Sequence, residues 1–269
     1  MLRVLSIALI AIVLSGFSAR AADFQVGLNA YDAGNFKTAF TEWLALAEQG
    51  NASAQYNIGM MYDSGEGVPK DAIEAVRWLR MAAEQGNASA QNNLGVMYYD
   101  GEGVLKDDSE AARLFRLAAE QGDADAQRSL GVMYDRGEGV PKDAVEALRW
   151  YRMAAEQGSA HAQNNLGIKY GTGEGVLKDD AEAVRWYRMA AEQGNTAAQN
   201  NLAIMYAGGR GALKDMTSAH MWWNIAGANG SGVAQTNRDI AESQMTSEEI
   251  FEATRRARVC MSSGYSDCD

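Results

Sequence analysis

A period of 36 residues runs through most of this chain and constrains its fold more than any other feature. Gln55, Gln91, Gln127, Gln163, Gln199 and Gln235 are spaced at that interval. Tyr62, Tyr98, Tyr134, Tyr170 and Tyr206 keep the same register, as do Gly50, Gly86, Gly122, Gly158, Gly194 and Gly230. A register this strict leaves no room for insertions, so every unit must meet its neighbours in the same way. That is the mark of a repeat that stacks along one dimension.

Within a unit the apolar residues follow the period of a helix. Ala54, Ile58, Met61 and Tyr62 fall at i, i+4, i+7 and i+8, while Ala75, Trp78, Leu79, Ala82 and Ala83 fall at i, i+3, i+4, i+7 and i+8. The pattern predicts two amphipathic helices per unit. Asn51, Asn87, Asp123, Ser159, Asn195 and Ser231 precede the first helices and are expected to cap them. Asp71, Asp107, Asp143 and Asp179 precede the second helices, with Glu74, Glu110, Glu146 and Glu182 three residues on, an Asp version of the capping box. Glu-Gln-Gly closes the unit with a glycine suited to a left-handed terminus.

Gly59, Gly95, Gly131 and Gly167 lie inside first helices, where each costs about 1 kcal/mol against alanine. Close approach of the paired helix accounts for them. Trp78, Trp150, Trp186 and Trp222, with Leu114 in the remaining unit, are expected to fill the space between neighbouring hairpins.

Three stretches carry a family resemblance: Ala-Gln-Asn-Asn-Leu-Gly-Val-Met-Tyr, then Gly-Glu-Gly-Val-x-Lys-Asp, then Glu-Ala-x-Arg-Trp-x-Arg-x-Ala-Ala-Glu-Gln-Gly. Together they resemble the Sel-one-like repeat family, kin of the tetratricopeptide repeats with a longer loop between helices. The loops start at Gly65, Gly101, Gly137, Gly173 and Gly209, and the resemblance covers residues 23 to about 244. It implies an all-α, right-handed α-solenoid of about seven antiparallel helix pairs. The expected organisation is a short first repeat over 22–50, five full repeats over 51–230, and capping helices with a cysteine pair over 231–269. Residues 22–269 are thus one helical domain.

Residues 1–21 read as a secretory leader: Arg3, an apolar run from Val4 to Leu14, and Ala19-Arg20-Ala21 as the cleavage site. The run is short for a membrane span, and no comparable run follows, so no stable insertion is expected after cleavage. The chain is expected in the periplasm or outside the cell. Export allows Cys260 and Cys268, the only cysteines, to form a terminal disulfide. The formal charge of −11 becomes two units more negative when Arg3 and Arg20 leave. Such acidity disfavours nucleic acid and favours, if anything, a basic partner.

The sequence offers few ingredients for catalysis. His161 and His220 are its only histidines. His161 sits at the start of a helix in a slot filled elsewhere by Ser53, Ser89, Asp125 and Ala197, and is expected to be exposed. The Gly-x-Gly loops fail the spacing of a phosphate loop, and an Asp already occupies the helix start behind each. No cofactor or metal site is expected. Some cysteine-rich relatives are described as penicillin-binding or β-lactamase-like, which is the alternative reading. It fits poorly, since those carry a disulfide in each repeat and the mature chain lacks a Ser-x-x-Lys pattern.

What remains is a binding surface for a protein or peptide. The resemblance implies that first helices line the concave face, with Tyr56, Asn92, Arg128, Asn164 and Asn200 exposed there and Asn57, Asn93, Asn165 and Asn201 beside them. Such amides either hydrogen-bond an extended peptide or only solvate the face and bond one another. Asp63, Tyr99, Asp135 and Arg136 would add side-chain selectivity.

Overall fold

The computed structural model describes residues 22–268; the expected leader at 1–21 lies outside them. Among the described residues there are fourteen helices and no strand. They are α1 (Phe24–Asp32), α2 (Phe36–Glu48), α3 (Ala52–Ser64), α4 (Ala72–Glu84), α5 (Ala88–Asp100), α6 (Asp108–Glu120) and α7 (Ala124–Arg136). There follow α8 (Ala144–Glu156), α9 (Ala160–Thr172), α10 (Asp180–Ala191), α11 (Thr196–Gly208), α12 (Met216–Ala228), α13 (Gly232–Glu242) and α14 (Ser247–Ser262). From α1 to α13 each helix packs chiefly on the ones before and after it, which makes an α-solenoid.

The caps follow the side chains at each boundary. Asn51, Asn87, Asp123 and Asn195 each accept a hydrogen bond from the amide three residues on, at 2.8–2.9 Å. Ser159 does not: its helix start lacks a side-chain cap, contrary to expectation. The second helices also depart from the expected capping box. Asp71 accepts from Ile73 and Glu74, yet the Glu74 carboxylate turns away to Arg77 at 3.0 Å instead of returning to the cap. Glu110 and Glu182 pair with Arg113 and Arg185 in the same way, because a guanidinium one turn ahead competes for the carboxylate. Among the described residues a reciprocal box forms only at Thr246 and Glu249, the cap of α14.

Packing explains the recurring residues. A Cβ on Gly131 would lie 2.7 Å from the Tyr151 ring, so glycine is what allows α8 to approach α7. The second glycine of each loop acts between repeats: Gly103 lies against the backbone of Ala72 at the start of α4 and has φ 69°. Trp150 and Trp186 are buried between hairpins, each in a core shared by the second helix of the preceding hairpin and the first helix of its own, and Leu114 likewise packs with Ala75, Leu79 and Leu94.

The periodic glutamines form a relay. Gln127 is 1% exposed; its Nε2 donates to the Ala119 carbonyl in the last turn of α6 at 3.1 Å, and its Oε1 accepts from Gln157 at 2.8 Å. Gln55, Gln91, Gln163 and Gln199 repeat both bonds, with Asn229 replacing the second glutamine at the end. Each relay adds a bond from the next repeat to a last-turn carbonyl that also accepts the amide of the closing glycine. A second tie joins Arg80, Arg116 and Arg152 to the hydroxyls of Tyr98, Tyr134 and Tyr170 in the next repeat, at 2.6–2.8 Å; Arg188 and Tyr206 continue it.

The C-terminal end is not a seventh hairpin. Helix α14 packs on α12 rather than on α13. The Cys260–Cys268 disulfide closes its last turn, and Tyr265 hydrogen-bonds Asn229 at the end of α12. Replacing Gln127 by leucine removes the second bond of the Ala119 carbonyl, which keeps the Gly122 amide at 3.0 Å, so the expected cost is about 0.5–1.5 kcal/mol. Gln157→Leu leaves Oε1 of the buried Gln127 without a partner and should cost more, up to about 3 kcal/mol. Urea midpoints of the two variants check this; equal losses would contradict the relay.

Candidate interaction face

The outward side of the first helices is built from positions one, two and three turns along each helix. The position after the packing glycine is apolar in every copy: Leu28, Met60, Val96, Val132, Ile168, Ile204 (which follows Ala203) and Ile240 (which follows Asp239). Leu28, Val96, Ile168 and Ile240 are 36–56% exposed, and Met60, Val132 and Ile204 are half-buried. The stripe is not among the residues expected on this face, although its signal, an apolar side chain at the position after the helix glycine, is present in the sequence. Between successive helices the stripe borders open cavities of about 290–510 Å³, one against Tyr31 and Tyr56, one against Tyr99 and Arg128, and one against Arg128 and His161.

The expected amide row is only partly exposed. Tyr56, Asn57, Asn92, Asn93, Tyr99, Arg128, Asn165, Asn200 and Asn201 are half-buried, and Arg136 is exposed. Asn164 is buried, at 8% exposure, which corrects its placement among exposed residues: Asn201 donates to its Oδ1 at 3.1 Å. The same rung joins Asn237 to Asn200 at 3.2 Å and Asn93 to the Tyr56 hydroxyl at 3.5 Å. These amides therefore bond one another across repeats, the plainer of the two readings.

The ladder is interrupted in the middle. Ser129 stands where Asn93 and Asn201 stand in their helices, and no hydrogen bond joins it to Asn92, whose Oδ1 is buried without a partner. On the next rung Arg128 occupies an acceptor position, opposite Asn165, and makes no ion pair or hydrogen bond among the described residues. It is the charged member of the row left unengaged, and it borders two of the cavities.

The side chains at the far end of the helices are committed to one another. Tyr99 donates to Glu138 at 2.8 Å, which raises its pKa, and Arg136 donates to the Tyr99 hydroxyl at 3.3 Å. Asp135 is not free, as expected from sequence, but paired with Lys169, which also reaches Glu174 at 2.7 Å. Lys169 is 3% exposed, in a slot filled by Met61, Met97, Met133 and Met205 elsewhere. Burial opposes its charge, and the hydrogen bonds it donates to Asp135 and Glu174 outweigh that and raise its pKa. Its own hydrogen bond and charge lower that of Glu174. His161 is exposed, whereas His220 is buried on α12 beside Glu242 at 2.9 Å.

Methionine in the four equivalent slots makes Lys169→Met a direct test. Both carboxylates remain solvent-accessible in that variant, so stability at pH 7 should stay within about 1 kcal/mol of wild type. A depressed Glu174 pKa contributes stability that is present above its unfolded value and lost as pH falls. The wild type should therefore lose more stability than the variant on acidification below about pH 4.3. A loss above about 3 kcal/mol at pH 7 would show instead that the buried ion group is a net source of stability.

The Sel1 repeat model matches residues 52–87, 88–123, 124–159, 160–195 and 196–231. Among solved structures, a Sel1 repeat protein from Oxalobacter formigenes is 40% identical, with TM-score 0.74 over 80% of this chain and 88% of that one. A protective antigen of uropathogenic Escherichia coli strains, displaying an SLR fold, is 38% identical with TM-score 0.78, over 91% of this chain and 54% of its own length. This chain thus spans about half of that antigen. No curated protein matches the sequence. The repeats matched, the loop architecture and the two structural likenesses agree, and the chain belongs to the Sel1 repeat family.

Proposed function

We propose that this chain is an exported scaffold that holds an extended segment of another protein along its first-helix face. Sel1 repeats generally mediate protein–protein interaction. What supports the finer reading is the stripe from Leu28 to Ile240: one partly exposed apolar side chain per repeat, flanked by half-buried amides and bordered by open cavities. An extended peptide crossing successive first helices, advancing about 3.3 Å per residue, would meet one apolar anchor per repeat. The leader-like residues 1–21 and the Cys260–Cys268 pair support an oxidising location in the periplasm or outside the cell. Binding rather than turnover is the reading these features favour, since the face presents apolar and amide groups and its acid, base and tyrosine side chains are largely paired with one another.

Photocrosslinking in the producing cell tests the face. A benzoylphenylalanine at Ile168, on a first helix and 36% exposed, should yield a protein adduct, and the same partner should appear from Val132. Met153 is equally exposed on a second helix and should yield none. Equal adducts from both helices would overturn the assignment.

A further inference from the structure

The break in the amide ladder has a chemistry of its own. The rungs on either side of it are closed by side-chain hydrogen bonds between repeats. At the break Ser129 is too short to replace the missing amide, Asn92 Oδ1 is left without a partner, and Arg128 brings in a cation that nothing neutralises. Asp125, one turn before it, makes no ion pair with it. Nearby acids are already engaged: Glu138 by Tyr99, Asp135 by Lys169. Apolar side chains line the same cavity, Val96 and Phe115 on one side and Val132 and Met133 on the other.

We infer that Arg128 and the cavity between α5 and α7 form a specificity pocket for one side-chain carboxylate flanked by apolar residues, within an extended peptide on the first-helix face. The inference rests on the scaffold reading above. A guanidinium half-buried beside apolar walls pairs with a carboxylate more strongly than one in open water, and offers it several donors at once. The stripe continues past the cavity in both directions, which fits an internal acidic residue rather than a chain end. The net charge of −11 limits the ligand: a polyacidic tract would be repelled, whereas a single carboxylate within a Debye length of about 8 Å feels mainly the local cation. The overall acidity, which alone would favour a basic partner, thus acts at long range and Arg128 at contact.

The test uses the full mature chain and an array of decapeptides, acetylated and amidated at their ends. Leucine, valine and serine are randomised around a central aspartate, asparagine or lysine. Wild type should bind aspartate members at least about tenfold more tightly than their asparagine counterparts, the size of a charge-assisted hydrogen bond. Arg128→Gln should abolish that preference, and Arg128→Lys should restore part of it. Ser129→Asn, which supplies the missing rung, should weaken binding of the aspartate members while leaving the thermal midpoint unchanged or raised. Binding with no preference for aspartate, or a preference that survives Arg128→Gln, would overturn the pocket and leave the scaffold reading standing. Binding that requires a free C-terminal carboxylate would also overturn it. No binding by any member, with photocrosslinks also absent from Ile168 and Val132, would remove both.

Discussion

The buried glutamine relay is the interaction on which the rest of the solenoid depends. A helix that ends inside a protein leaves carbonyls without partners, and in a stacked repeat every unit ends against the next. The closing glycine's amide takes one such carbonyl, Gln55 and its counterparts bond the same oxygen from the following repeat, and their own oxygens are held by the glutamine that closes the unit. Because one side chain must reach a carbonyl eight residues back and an amide thirty residues ahead, a change in unit length would break it. The strict period is the trace of this constraint.

Much of the fold was legible because it is written in repeated local rules. Apolar spacing gave the helices, Asp and Asn their starts, and the internal glycines announced close approach, which the Gly131 and Tyr151 contact bears out. Errors arose where two local rules competed or the copies end. Glu74 and Arg77 share a helix face, and the ion pair takes the carboxylate that the capping box would use. The chain stops repeating after α13, so the packing of α14 onto α12 had no precedent in earlier units.

The candidate site was less legible for a related reason. Exposure was inferred from position within a unit, yet whether an amide is free depends on what the neighbouring unit places opposite. Asn164 and Asn92 occupy equivalent places, and one is bonded by Asn201 while the other faces Ser129 and is left alone. Such differences lie in pairs 37 residues apart, a spacing that the repeat itself conceals. Lys169 shows the same effect, since a lysine among four methionines makes sense only beside Asp135 and Glu174.

The account therefore separates two sets of residues: those that recur hold repeats together, and those that vary on the first helices make the binding surface. The competing surfaces are concrete, because Leu105, Leu177 and Leu213 stand about 90% exposed in the loops and Val145 is 62% exposed on a second helix. Methyl NMR of the chain with the tightest-binding peptide distinguishes them in one spectrum. The account predicts shifted methyl signals at Val96, Val132 and Ile168 with Val145 and the loop leucines unmoved. Shifts confined to the loop leucines or Val145 would contradict it.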